Sequence, residues 1–329
     1  MVAEKKLNEL NAKRDEAISL LVDSGLNDAD AVIVADCFFY SDLYGVSSHG
    51  FSMLNAHLEK IKHGDYNLSP NIRIVKETAS FAIFDGDNSI GPISAIKCLE
   101  YGIKKAKQVG VYSIFSKNNN TFGAAFYYSL YAAKRGVIAF VSSNSPAQMA
   151  LPGSKEKMLG TNPFSLVIPI SGNDPIIIDM ASSIIAKSKF KEYKEKNIPL
   201  PDGVALNCEG EPTNNADEAI RGIVLPMAGI KGTAISLMVD FVSGLLSGAA
   251  YLNSVGRFYS SEQKCMNVGF FVTLFDPYII SDGKYDDLSL DFYNRLKSSL
   301  PIEGRSVVIP GEDRINSKNS FFEEGTTSE

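Results

Sequence analysis

Residues 111 to 142 read VYSIFSKNNNTFGAAFYYSLYAAKRGVIAFVS, and this stretch decides what kind of fold the chain can build. Val111 to Phe115 is strand-like, Ala124 to Lys134 is helix-like and Val137 to Ser142 is strand-like again. The connecting residues, Lys117 to Ala124, follow a strand and open a helix. Free backbone N–H groups at such a place suit a phosphate or a carboxylate, and a plain polar loop is the other reading. The chain has 26 glycines, yet no two are separated by a single residue, so G-x-G-x-x-G is absent and no G-x-x-x-x-G-K-[ST] loop exists. A nucleotide bound here is held by a different fold.

Upstream, Leu7, Leu10, Ile18 and Leu21 keep a helical spacing that stops at Gly25. Asn27 is placed to cap a second apolar helix from about Ala29 to Leu43, ended by Gly45. Phe51, Leu54, Leu58 and Ile61 mark one face of a third, which the spacing starts beside Ser48. Ile72 to Val75 and Phe81 to Phe84 read as a hairpin closed by Asp85-Gly86-Asp87, and Pro92 opens a helix to about Gln108. Downstream, Phe164 to Ile170 and Ile176 to Asp179 look like interior strands. Lys187 to Arg221 is polar and rich in Pro and Gly, an apolar helix follows Lys231, and Gly269 to Phe275 and Val307 to Ile309 are further strand candidates. The tail after Arg314 reads as frayed.

At 329 residues there is room for about two or three packed units. Hydrophobic residues at 45% and charged residues at 21% are globular values that exclude a disordered chain. A net charge of −6 is wrong for gripping phosphate backbone or an anionic membrane, so nucleic acid is not an expected partner. Cys37, Cys98, Cys208 and Cys265 lie far apart, with no C-x-x-C pair, which fits a reducing compartment and suggests no metal site. No signal peptide is recognisable, and the apolar stretch Gly232 to Leu252 carries Asp240 near its middle, at a membrane cost of about 2.5 to 3.5 kcal/mol. It reads as a buried helix, no membrane is expected, and the cytoplasm is the default address.

Only His49, His57 and His63 are available for proton chemistry. His63, beside Gly64, reads as a helix end, and His57 as a surface or boundary residue. His49 follows Ser48 at a helix start, where the dipole lowers an imidazole pKa and a nearby carboxylate would raise it towards the range of a general acid or base. A first-turn residue with no chemistry is the alternative. Leu159-Gly160-Thr161-Asn162-Pro163 sets two hydrogen-bonding side chains ahead of a strand. Asp179 ends another strand, where a carboxylate needs a partner or caps the next helix.

These pieces resemble the malate/L-lactate dehydrogenase family of NAD(P)-dependent oxidoreductases. The resemblance rests on Asp42-Leu43-Tyr44-Gly45-Val46-Ser47-Ser48-His49-Gly50, Thr121-Phe122-Gly123-Ala124-Ala125, Leu159 to Pro163, Asp179-Met180-Ala181, Gly229-Ile230-Lys231-Gly232 and Pro310-Gly311-Glu312, in the family's order over most of the chain. It implies an α+β, non-Rossmann, sulfolactate dehydrogenase-like fold, with a mixed, mostly antiparallel sheet carrying the cofactor beside a helical domain built from both chain ends. The implied division is a helical segment at 1–70 completed by 290–329, a small α/β segment at 71–115, and a dinucleotide-binding domain at 116–289. It further implies NAD or NADP as cofactor, a small 2-hydroxy or 2-oxo acid as substrate, and a homodimer. By the same resemblance His49 exchanges the proton, Ser48 and Asp179 orient and charge its ring, and Thr161 contacts the substrate carboxylate. Thr121, Phe122, Gly123, Ala124, Met180, Ala181, Lys231, Gly232, Pro310, Gly311 and Glu312 line the dinucleotide.

The chain also departs from that pattern. Met53 stands where relatives commonly have an arginine suited to clamp a carboxylate, Thr121 where many have histidine, and Tyr44 where many have arginine. Arg73 and Lys155 are the candidate replacements for the clamp. The expectation is a cytoplasmic malate dehydrogenase, with L-lactate the next substrate. The alternatives are a reductase of cyclic imino acids or sugar-derived keto acids, and an inactive dinucleotide-binding protein.

Overall fold

The computed structural model describes residues 2–259 and 265–322. It opens with α1 (Val2–Asp23) and α2 (Asp28–Leu43), the latter capped by the Asn27 side chain, which accepts the Asp30 N–H at 3.0 Å. The third helix, α3 (Leu54–Lys62), starts later than its spacing predicts. Two 3-10 turns, Ser47–His49 and Phe51–Met53, precede it and meet at Gly50. A side chain at Gly50 would overlap the Asp42 carboxylate, which instead lies against that backbone and accepts the Phe51 N–H at 3.1 Å. His63 caps the end of α3 as expected. His57 is not at the surface: it is 2% exposed, meets the Tyr66 hydroxyl at 3.0 Å and packs on Phe38 and Phe258. Phe258 comes from 200 positions away, a cover that no local spacing reveals.

Next come β1 (Arg73–Glu77), β2 (Phe81–Ser89), α4 (Gly91–Val109), β3 (Val111–Asn119), α5 (Ala125–Ala133) and β4 (Ile138–Ser143). The polar middle builds a satellite unit from β5 (Met149–Ala150), β6 (Lys157–Leu159), α6 (Ser188–Glu195), β9 (Ala205–Leu206), α7 (Ala216–Arg221) and β10 (Ile223–Val224). It packs around Met149, Leu159, Phe190 and Val204. Between β6 and α6 run β7 (Phe164–Ile170) and β8 (Asn173–Met180). Then follow α8 (Ile230–Val239) with a π-helical extension, Asp240–Leu245, β11 (Val268–Phe275), α9 (Pro277–Ile280), α10 (Tyr285–Lys297) and α11 (Glu312–Asn319). Residues 307–309 form no strand, and the tail folds as α11 through Asn319.

One seven-stranded sheet, ordered β1-β2-β3-β11-β4-β7-β8, spans the molecule. Only β2 and β3, joined through α4, pair parallel, and every other neighbouring pair is antiparallel. The sheet is therefore mixed and mostly antiparallel, and it takes strands from both sides of residue 115. One face buries Ile96, Leu99, Tyr112, Ile114, Tyr128, Val141 and Val272 under α4 and α5. Helices from both chain ends meet on α5, where Leu10, Leu43 and Tyr44 join Phe126, Leu130 and Ile315. Strand β8 is an edge strand, which corrects the interior placement of Ile176 to Asp179. Its apolar run has another cause: Ile177 packs with Phe126 and Leu130, and Ile176 with Ile309, Tyr293 and Leu296.

The helix after Lys231 is not buried all round. Its inward face carries Ser236, Asp240, Ser243 and Gly244, while Leu237, Met238, Phe241, Leu245 and Leu246 are 43 to 54% exposed. The Asp240 charge that argued against a membrane span points inward and accepts the Leu252 N–H at 2.8 Å. No helix of the described residues is long and apolar enough to cross a membrane.

Candidate active site

A cleft of about 440 Å³ opens between the helices of the chain ends, the loops at one end of the sheet and the satellite unit. Ser48, His49, Thr121, Phe122, Gly123, Ala124, Thr161, Asp179, Met180 and Ala181 all line it, although residues 48 and 181 are far apart in sequence. Lys231, Gly232, Pro310, Gly311 and Glu312 are not among its lining residues. Lys231 is exposed and Gly232 packs on the Met227 and Ser182 carbonyls. Glu312 pairs with Lys297. A wider groove of about 750 Å³ runs along α1 and contains none of these residues.

His49 leaves the last turn of α2 through the Ser47–His49 turn, which is tied down by the Asp42 carboxylate and by the Ser52 hydroxyl donating to the Ser47 carbonyl at 2.7 Å. Its Nδ1 meets the Ser48 hydroxyl at 3.0 Å, and among the described residues Nε2 has no hydrogen-bond partner. The ring is open to solvent through the cleft but walled by it. That enclosure, and then the charge of Arg314, lower its pKa below 6.5.

Asp179 does not hydrogen-bond His49. Its Oδ2 accepts from Arg314 Nη2 at 2.8 Å, with the two side chains only 13% and 20% exposed. Burial raises the Asp179 carboxyl above its ordinary value, and Arg314 and the Phe126 N–H draw it back towards the ionised form. Thr161 is held in place because its carbonyl accepts the N–H and hydroxyl of Ser182, each at 2.8 Å. Its neighbour Asn162, fully buried, reaches Ser145 on one side and Ser236 on the other.

Among the described residues, the lysine and arginine side chains lining the cleft are those of Lys187 and Arg314. Sequence reading singled out neither. Arg314 lies one helical turn past Pro310-Gly311-Glu312, and nothing in its spacing ties it to Asp179, 135 residues earlier. Arg73, proposed as a replacement clamp, sits on β1 beside Asp85 at 3.4 Å, and neither it nor Lys155 lines the cleft. Met53 does line it, with the Tyr259 hydroxyl 3.9 Å from its sulfur.

The family described as malate/L-lactate dehydrogenase matches residues 9–328. An L-sulfolactate dehydrogenase from Methanocaldococcus jannaschii is 35% identical over 309 residues, 92% of this chain and 89% of that one. A malate dehydrogenase from Pyrococcus horikoshii is 36% identical over 304 residues, 89% and 84% of the two chains. The solved structure of sulfolactate dehydrogenase from M. jannaschii aligns with a TM-score of 0.88 at 33% identity, covering 94% of this chain and 90% of that one. Together with a sheet that is non-Rossmann in topology and a cleft built around Ser48 and His49, these matches show that the chain belongs to the malate/L-lactate dehydrogenase family.

Proposed function

We propose that the protein is an NAD(P)-dependent dehydrogenase interconverting a 2-hydroxy acid and a 2-oxo acid, with L-malate and oxaloacetate the first pair and L-lactate and pyruvate the next. The observation that carries this reading is the His49 ring, with Nδ1 engaged by Ser48 and Nε2 free in the cleft. A general base for alcohol oxidation must be neutral and within hydrogen-bond reach of the hydroxyl. A lowered pKa keeps the ring neutral at pH 7. In oxidation, Nε2 takes the hydroxyl proton as the C2–O bond becomes a carbonyl, and the C2 hydrogen leaves with its electron pair. A bound nicotinamide supplies the acceptor for that hydride.

The cleft suits such a cofactor, with backbone-rich Thr121 to Ala124 on one side and the apolar Phe122, Met180 and Val268 among its walls. Ala181 is assigned to it as well. Lys231, Gly232, Pro310, Gly311 and Glu312 are assigned to it by the family pattern alone, since they do not line the cleft. Thr161 and the remaining donors of Arg314 are the groups suited to the substrate C1 carboxylate. Asp179 acts on the imidazole through Arg314, whose charge it offsets, so it is a positioning residue.

A second copy of the chain is the proposed partner, on the strength of the outward apolar face of α8 and its extension. The proposed address is the cytoplasm, because the four cysteines are free thiols. The test of the whole reading is oxidation of NADH and of NADPH over a panel of oxaloacetate, pyruvate, sulfopyruvate and a cyclic imino acid. Turnover of a 2-oxo acid is the expected result. Reduction of the imine alone moves the assignment to an imine reductase, and cofactor binding without turnover on any member leaves an inactive dinucleotide-binding protein.

A further inference from the structure

Lys187, the N-cap residue of α6, stands apart from the other lysines of that helix. Lys189 and Lys196 hold Glu192 at 2.8 and 2.6 Å, Lys194 holds Asp217 at 2.5 Å, and Lys191 lies over the Tyr259 ring at 5.5 Å. Lys187 is half-buried, lines the cleft and donates to Gln148 Oε1 at 2.5 Å. No carboxylate among the described residues forms an ion pair with it. The fold itself gives no reason for a cation at this place. The start of a helix disfavours positive charge, and a buried ammonium needs a counter-charge.

Lys157 stands on β6, the strand whose Leu159 carbonyl accepts the Gln148 N–H at 2.8 Å, and the charges of Lys157 and Arg257 both act on Lys187. Lys157 is half-buried with its Nζ on the Arg221 carbonyl at 2.6 Å, and neither it nor Arg257 has a carboxylate partner among the described residues. Among the described residues these three cations have no carboxylate partner, in a chain whose net charge is −6. Such a cluster is a field for an anion.

We infer that Lys187 forms an oxyanion-binding site in the wall of the cleft, with Lys157 and Arg257 adding positive potential from outside its lining, and that its ligand is a terminal anionic group of the molecule lying in the cleft. Two molecules of the proposed reaction carry such a group. One is a dianionic 2-hydroxy acid, through its distal carboxylate or sulfonate, and the other is a phosphorylated dinucleotide, through its 2′-phosphate. The site rests on the dehydrogenase reading only for the identity of that molecule. In the first case it supplies the positive charge that Met53 does not.

Burial, followed by repulsion from Lys157 and Arg257, pushes Lys187 down to about 8, while the nearby Cys208 acts in the opposite direction. The Lys187 hydrogen-bond partner, Gln148, is uncharged. An anion binds the ammonium and not the free amine, so affinity is expected to weaken as pH rises through about 8.

Calorimetric titration of the full chain with L-malate, L-lactate and 2′-AMP reads the site without turnover. If the anion belongs to the substrate, Lys187→Met weakens L-malate binding about ten- to a hundredfold, as for loss of a charge-assisted bond, and leaves L-lactate within about twofold. If it belongs to the cofactor, 2′-AMP takes that loss instead. Arg257→Gln, at an exposed side chain, shifts the same ligand roughly three- to tenfold and serves if Lys187→Met fails to fold. Lys196→Met is the control. The site is refuted if neither L-malate nor 2′-AMP binds, or if both variants leave both affinities within about twofold. Turnover on the keto-acid panel is scored separately: binding through Lys187 with no turnover refutes the dehydrogenase and keeps the site, and turnover indifferent to Lys187 and Arg257 refutes the site alone.

Discussion

At position 49, Ser48 occupies one nitrogen of the imidazole and the other has no partner among the described residues. Replacing His49 by Ala is expected to lower kcat by about 10² to 10⁴-fold with cofactor affinity unchanged. Steady-state rates and a cofactor titration check this, and near-normal kcat removes His49 from its role. The pH profile carries a sign. Because the pKa lies below 6.5, kcat/KM for oxidation should rise with pH to a plateau already reached near neutrality, and the reductive direction, which needs the protonated ring, should fall over the same range. A base with an ordinary or raised pKa would put that step at or above 6.5. Ser48 and His49 were legible in the sequence because they are adjacent residues of one turn and histidine is scarce. The pair of Asp179 with Arg314, and the burial of His57 beneath Phe258, were not, because each is a contact between residues more than a hundred positions apart.

Elements position these groups, and α11 shows how tightly. Gly311 starts it at φ +89, and a Cβ there would lie 2.5 Å from the Ile177 carbonyl oxygen and 2.8 Å from the Ile177 nitrogen. This close approach of α11 to β8 is what brings Arg314 to Asp179. Gly311→Ala should cost about 1 to 3 kcal/mol of stability, from the left-handed backbone and the clash with strand backbone. It should also reduce kcat/KM by moving Arg314. A denaturant midpoint and a rate measured on the folded fraction separate the two effects, and a variant as stable as the parent contradicts the packing described here. Most elements of the sheet and the Asn27 cap were readable, since periodicity and capping are local rules. The helices α6 and α7 were lost in a polar, Pro-rich region because only a few residues, such as Phe190, face their small core. The position of β8 at the edge was hidden because α5 on one side and α10 on the other give it the apolar composition of an inner strand.

Across the whole molecule, the surface left uncovered is what bears on assembly. The helix from Ile230 through Leu245 is inverted relative to an ordinary surface helix, with Ser236, Asp240 and Ser243 inside and Leu237, Met238, Phe241, Leu245 and Leu246 outside. The outer residues alone have the composition of a core helix, which is why the stretch reads as buried in the sequence. On the sheet, Phe81, Phe115, Phe271, Phe140 and Phe164 make a row of rings 4.9 to 6.5 Å apart, each half-buried. A chain that keeps so much apolar surface in water gains by covering it with a second copy, at roughly 25 cal/mol per Å² of apolar area removed. The inner face of the same helix touches the loop that carries Thr161, since Ser236 bonds Asn162. A partner seated on the outer face would therefore steady the Thr161 loop of the cleft. Light scattering should give a mass twice the 35.7 kDa of one chain, and Phe241→Asp, which adds a charge to the exposed side, should give the single mass with the far-ultraviolet spectrum unchanged. If the monomer so produced retains full kcat, the outer face serves assembly alone. If the parent chain itself runs at the single mass across micromolar concentrations, the homodimer is wrong.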